Sequence, residues 1–213
     1  LRITNSSTTP LWKAITGGTM KKAFWPIWGA IGLAGMLLAA LTGTSEEQSF
    51  QFSEWAAPVN LGPIVNTATD EAFPFISDDG RSLYFSSSRP EGFGGFDIWV
   101  SQRRSVNEPW AQPRNLGPSI NGSGNELTPA LSPDGFRLDF GSTRTGGFGA
   151  EDLYSARRHN RRNDFGWRPA VNLGSGVNID ASDGGPFRFE DDQTGTTTLY
   201  FNSARPGGSG GID

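Results

Sequence analysis

From Trp55 onward the chain repeats itself every 55 to 57 residues, and no other feature restricts its fold as much. Trp55, Trp110 and Trp167 each open a segment that ends in Asn-Leu-Gly, at Asn60-Leu61-Gly62, Asn115-Leu116-Gly117 and Asn172-Leu173-Gly174. A second landmark runs Asn66, Glu71, Pro74, then Asn121, Glu126, Pro129, then Asn178, Asp183, Pro186, so an acid falls five residues and a proline eight residues after each asparagine. In the third, an arginine is followed by a glycine cluster and an aspartate: Arg89 to Asp97, Arg144 to Asp152 and Arg205 to Asp213.

Short apolar stretches bounded by turn residues lie between the landmarks, as in Phe73 to Ile76, Leu83 to Phe85 and Asp97 to Val100. They read as strands. Asp79-Gly80 and Asp134-Gly135 sit between such runs and predict hairpins of type I′, whose two central residues need positive φ. The third repeat has Glu190 to Gly195 there, a longer polar loop. Several strands per repeat with no helical periodicity describe propeller blades better than solenoid units. The expectation is an all-β chain, a partial β-propeller of three blade-like repeats of antiparallel strands at about 55–109, 110–166 and 167–213. The third is incomplete, because Gly211-Ile212-Asp213 stops at the aspartate that Ile98-Trp99 and Leu153-Tyr154 follow in the earlier copies. Closed propellers typically have about four to eight blades, so the reading is of a fragment that leaves strand edges open.

The phrases Ile76-Ser77-Asp78-Asp79-Gly80-Arg81-Ser82-Leu83-Tyr84-Phe85-Ser86-Ser87-Ser88-Arg89 and Gly94-Gly95-Phe96-Asp97-Ile98-Trp99 resemble the WD-repeat-like blades of TolB-type propellers. The resemblance covers about Trp55 to Asp213. It implies a periplasmic, cell-surface or secreted propeller that binds a protein or glycan partner without catalysis or cofactor. Related propellers also accompany prolyl-peptidase domains or form pectin-degrading lyases, so the propeller portion of a truncated carbohydrate- or peptide-processing enzyme is the alternative. The second repeat departs from the first at Ala150-Glu151, which replaces Gly95-Phe96.

Charge narrows the partners. From Glu46 onward there are 14 arginines, no lysine and 22 acidic residues, a net charge of −8. Such a surface repels phosphate backbones and anionic lipid, which argues against nucleic acid and against a membrane surface as partners. With no cysteine, disulfides, thiolate nucleophiles and cysteine-ligated zinc are excluded together, and the redox compartment is left open.

The compartment argument comes from the N-terminus, where Met20-Lys21-Lys22 precedes 23 uncharged residues from Ala23 to Ser45. Two lysines before an apolar run from Ile27 to Leu41 and small residues at Thr42 to Ser45 have the layout of a signal peptide at 20–45. An uncleaved anchor is the other reading, since that length also spans a bilayer core of about 30 Å. Residues 1–19 precede a credible start methionine and read as an upstream extension.

Each recurrent charged residue has a structural and a functional reading. Asp97, Asp152 and Asp213 follow glycine clusters, where a carboxylate accepts the N–H groups a turn leaves unpaired. One acid per blade is no metal site, and none is assigned. Glu71, Glu126 and Asp183 either cap the entry to a first strand or line a channel as ligand-binding groups. Arg89, Arg144 and Arg205 either pair with the recurrent aspartates or clamp a partner's carboxylate. Trp55, Trp110 and Trp167 read as packing between blades before sugar stacking. No catalytic residue is assigned: His159 is the only histidine and lies in Arg157-Arg158-His159-Asn160-Arg161-Arg162, read as a solvated hairpin tip. Adjacent acids such as Asp191-Asp192 do not face each other across a cleft as glycosidase carboxyls do.

Overall fold

The computed structural model describes residues 55–213, so the stretch 20–45 read as a signal peptide and residues 1–19 before it lie outside the described residues. The chain divides between Val59 and Asn60, and every strand belongs to the unit Asn60–Asp213. That unit is all-β. Its strands are β1 (Glu71–Ile76), β2 (Ser82–Ser87), β3 (Asp97–Gln102), β4 (Arg114–Asn115), β5 (Glu126–Leu131), β6 (Arg137–Ser142), β7 (Asp152–Arg157), β8 (Val171–Asn172), β9 (Asp183–Asp191) and β10 (Thr196–Ser203). They form antiparallel sheets in the orders β1-β2-β3-β4, β5-β6-β7-β8 and β10-β9. The described residues close no ring. Neighbouring sheets meet through their first two strands, with β1 against β5, β5 against β9, β2 touching β5 and β6 touching β9.

The fourth strand of each complete sheet comes from the segment after the landmark tryptophan. Asn115 on β4 pairs with Trp99 on β3, and Asn172 on β8 with Tyr154 on β7. The Asn-Leu-Gly segments explain themselves here. Asn115 Oδ1 accepts the Gly117 N–H at 2.8 Å and the Asn121 Nδ2 at 2.7 Å, and Asn121 in turn exchanges two hydrogen bonds with the backbone of Ile98. Asn172 and Asn178 repeat the clip on Leu153. Each four-stranded sheet is thus pinned at its outer edge by an asparagine lying just before the next sheet.

The hairpins correct the sequence expectation in one respect. At the Asp-Gly turns only the glycine has positive φ, 68° at Gly80 and 73° at Gly135. The Gly80 N–H donates to Ser77 O and that of Gly135 to Ser132 O, and the aspartate stays right-handed because its Oδ1 accepts the N–H two residues on, Arg81 or Phe136. Side-chain bonding by the aspartate therefore selects a right-handed turn followed by a left-handed glycine over type I′.

A left-handed residue also bends the first strand of every sheet: Phe73 (φ 53°), Thr128 (φ 52°) and Gly185 (φ 57°) each precede a proline, and the β1–β2 and β5–β6 registers slip there. Positive φ is uncommon in non-glycine residues and unfavourable for bulky ones. These bulges fill the place of the recurrent acid-x-x-Pro landmark.

Both faces of the first sheet are covered, which is why β2 and β3 read as continuous apolar runs. Tyr84, Ile98 and Val100 face the second sheet's Leu131, Leu138, Phe140, Tyr154, Ala156 and Trp167. Leu83, Phe85 and Trp99 alternate with them and pack with Val65, Leu61 and Trp110 on the other face. Of the landmark tryptophans, Trp167 is buried in the cluster shared by the first two sheets, Trp110 packs half-buried on the first sheet's other face, and Trp55 is 73% exposed.

Candidate functional site

The recurrent charged residues gather at the end of each sheet where the first strand begins and the second ends. Arg89 Nη2 reaches Glu71 Oε1 at 3.0 Å, Arg144 Nη2 reaches Glu126 Oε1 at 3.1 Å, and Arg205 Nη2 reaches Asp183 Oδ1 at 2.9 Å. The arginines thus pair with the strand-entry acids, not with the recurrent aspartates as one sequence reading had it. The reason is local. Ser87, Ser142 and Ser203 each accept from the backbone N–H and the Nε of the arginine two residues on, which turns the guanidinium back toward the first strand. The same acids cap the entry turn by accepting the N–H of Thr67, Gly122 or Ile179. Burial pushes the carboxyls of Glu71 and Asp183 up, and hydrogen bonds and the facing guanidinium outweigh it, holding both below the ordinary carboxylate range. Glu126 and Asp183 are fully buried.

Asp97 and Asp152 take the turn-binding role expected of them. Asp97 Oδ2 accepts the Phe93 N–H at 2.6 Å, and Asp152 Oδ2 accepts the Phe148 N–H at 2.6 Å. Asn115 and Asn172 donate to the same oxygens, and Asp213 accepts from Gly210. The effect is to hold two glycine-rich loops rigid with Phe93 and Phe148 at their tips, each 50% exposed. The first loop is fixed further by the second sheet, since the Gly95 N–H donates to Gly124 O and the Phe96 N–H to Asn125 Oδ1.

Two features were assigned no role from the sequence. At the other end of the first sheet, Asp164 from the β7–β8 connection enters between the sheets and accepts from Ser82 Oγ (2.5 Å), Tyr84 Oη (2.5 Å), Gln102 Nε2 (2.7 Å) and Arg158 Nη1. Arg158 also donates from Nε to Gly135 O and lies 4.4 Å over the Trp167 ring. The stretch 157–162 is therefore not wholly a solvated tip: Arg158 is buried, its guanidinium lying over Trp167 and paired with Asp164, while His159 is exposed beside Arg168. The second feature is Glu151, half-buried between the second and third sheets. Its carboxylate occupies the space that a Cβ would fill at Gly141 of β6 and at Gly184 of β9, positions that hold Ser86 and Leu127 one repeat earlier. Burial, with the nearby Asp183 charge, pushes the Glu151 carboxyl up.

Asp191, beside Asp192, accepts the Gln193 and Thr194 N–H groups and closes the third hairpin. Among the described residues no group of three or more His, Cys, Asp or Glu converges as a metal centre requires.

No protein-family model matches the chain, and no curated protein sequence does. Among solved structures it is similar to an alpha-L-arabinofuranosidase from Lactobacillus brevis, with 20% identity and a TM-score of 0.46 over 71% of this chain and 49% of that one. It is also similar to an endo-arabinase from Bacteroides thetaiotaomicron VPI-5482, with 16% identity and a TM-score of 0.47 over 73% of this chain and 58% of that one. The chain thus spans between 49% and 58% of the length of these two structures.

Proposed function

We propose that this chain is a non-catalytic binding or scaffolding segment of β-propeller type in the cell envelope or outside the cell, engaging a protein or glycan partner through loops at one end of its sheets. The observation that carries the reading is the pair Phe93 and Phe148, two half-exposed rings in equivalent loops whose backbones are clamped by Asp97 and Asp152. Rings held in place before contact lose little entropy on binding, and aromatic side chains are the usual anchors of interfaces and of sugar stacking. The net charge of −8 from Glu46 onward favours partners other than nucleic acid. The test is retention of the full chain on immobilised polysaccharides and on envelope proteins, comparing wild type with Phe93→Ala and Phe148→Ala. Loss of a retained partner in both variants at unchanged melting temperature supports the reading. Retention unaffected by either variant refutes it. Placement outside the cytoplasm rests on the Met20 to Ser45 segment, and a reporter active only after export, fused beyond Glu46, tests it; replacing Leu37-Leu38 by charged residues should abolish its signal.

Glu151 favours a second reading, in which the sheets belong to a carbohydrate-processing enzyme. Its carboxyl is pushed up while that of the neighbouring Asp183 is held down, and carboxyls driven apart in this way suit general-acid and charged roles. Glycan cleavage by the chain that disappears in Glu151→Gln would favour this reading over the first.

A further inference from the structure

Counterpart positions in the first two sheets lie 55 residues apart, as with Arg89 and Arg144 or Asp97 and Asp152, so the two grooves between successive sheets can be compared residue by residue. In the groove between the first and second sheets, Ser82, Tyr84 and Gln102 hold a carboxylate, that of Asp164. In the groove between the second and third sheets, the same positions are Arg137, Asp139 and Arg157. Asp139 is taken, because Arg188 of β9 donates to both of its oxygens from Nε and Nη2. Arg137 and Arg157 stand directly opposite each other across β6 and β7. Among the described residues, neither guanidinium donates a hydrogen bond or forms an ion pair within 4.0 Å, and the Asp134 charge is the acidic one that reaches both. Like charges directly opposite each other work against strand pairing. Burial, with the charges of Arg188 and Arg157, holds the Arg137 guanidinium below arginine's ordinary value.

Arg137, Arg157 and Arg188 are among the residues lining a cavity of about 230 Å³. Ser132 and Thr197 contribute hydroxyls, and Phe136, 39% exposed, contributes an apolar edge. Asp134 and Glu190 complete the lining, and Asp134 Oδ1 is already engaged by Ser132 Oγ and the Phe136 N–H. The volume is below the range of roughly 300–1,000 Å³ usual for drug-sized ligands, which limits the occupant to a single ring or a group of that size. Two guanidinium forks with open N–H groups match the planar oxygens of a carboxylate. A dianion would also meet the charges of Asp134 and Glu190.

The geometry points to this cavity as a binding site for a small organic carboxylate, gripped by Arg137 and Arg157, in the place where the preceding groove binds the chain's own Asp164. It lies at the hairpin end of the sheets, away from Phe93 and Phe148, and does not depend on the partner proposed for that end.

Calorimetric titration of the full chain tests it with D-glucuronate and propionate as a cyclic sugar acid and an acyclic acid, each a monoanion, and with D-glucose and inorganic phosphate as comparators, at low and high salt. Binding of either acid, weakened by salt and reduced at least about tenfold in both Arg157→Gln and Arg137→Gln, is the expected result, tenfold being about 1.4 kcal/mol. The acid that binds identifies the source of the carboxylate. Arg157 is exposed, so Arg157→Gln keeps the fold, and Arg162→Gln, outside the cavity, should bind as wild type does. The proposal is overturned if neither acid binds, if glucose or phosphate binds as tightly as the acids, or if Arg157→Gln leaves the affinity unchanged.

Discussion

Replacing Asp164 by alanine should unfold this chain more readily than any other single loop substitution. The carboxylate is 3% exposed, accepts four hydrogen bonds, and faces an Arg158 guanidinium whose side chain is 2% exposed. Alanine would leave that charge buried with the Trp167 ring beneath it and only the Gly135 carbonyl and the Tyr84 hydroxyl as polar partners, and breaking a buried pair by removing one partner costs about 3–5 kcal/mol. At roughly 2–4 °C per kcal/mol for a chain of this size, the melting temperature should fall by about 6–20 °C. Chemical denaturation followed by tryptophan fluorescence reads the loss directly. The double variant Asp164→Leu with Arg158→Met should recover most of it, since an apolar pair of similar volume removes the desolvation cost along with the attraction. The pH dependence has a definite sign. Burial raises the Asp164 carboxyl, but hydrogen bonds from Ser82, Tyr84 and Arg158 and the Arg158 charge prevail and hold it below the ordinary value. Its contribution is therefore complete above the unfolded-state pKa of about 3.9 and is lost as pH falls through the lower folded value. Loss of less than about 1 kcal/mol in Asp164→Ala, or a double variant no more stable than the single, would refute this account of the latch.

Glu151→Gln should melt above wild type at neutral pH, because a carboxyl whose folded pKa is raised is best tolerated protonated; the difference should close as pH falls and Glu151 takes up its proton, which melting curves across pH would show. Gly80→Ala and Gly135→Ala force a Cβ into left-handed backbone at 68° and 73°, and each should cost about 1–2 kcal/mol by denaturant titration. Gly80→Ala should cost the more, since its Cβ would lie 3.0 Å from Val106 Cγ1. Phe140→Ala, in the core shared by the first two sheets, should cost about 3–5 kcal/mol, whereas Phe93→Ala should stay within about 0.5 kcal/mol of wild type in the same assay.

What the sequence made legible was what repeats. Strands, hairpin positions and the turn-binding role of Asp97 and Asp152 follow from residues a few positions apart, where local geometry decides. The arginine partners were misread because the choice between two acids, each a plausible mate, was made by Ser87, Ser142 and Ser203 steering the guanidinium. Asp164 gave no signal at all, since its partners Ser82 and Tyr84 lie 82 and 80 residues earlier and only the stacking of sheets brings them together. Glu151 was visible as a departure from Phe96, but the space for it at Gly141 and Gly184 was legible only once β6 and β9 were placed side by side.

The asparagine clip bears on how such a chain can grow or shrink by gene duplication. A segment copied from one landmark tryptophan to the next would carry β1, β2 and β3 of a sheet while leaving behind β4 and Asn121, the strand and side chain that finish it. The shortest stretch that carries its own closure runs from Glu71 to Asn121, and from Glu126 to Asn178 in the next copy. Crossovers inside the glycine and serine residues at 122–124 would transmit whole sheets, whereas crossovers at the tryptophans would splice the outer strand of one sheet onto the body of another. Both four-stranded sheets keep the same asparagine pairs, so such hybrids would still find a fitting edge, and the clip is thus a standard joint through which units of differing loops can be exchanged.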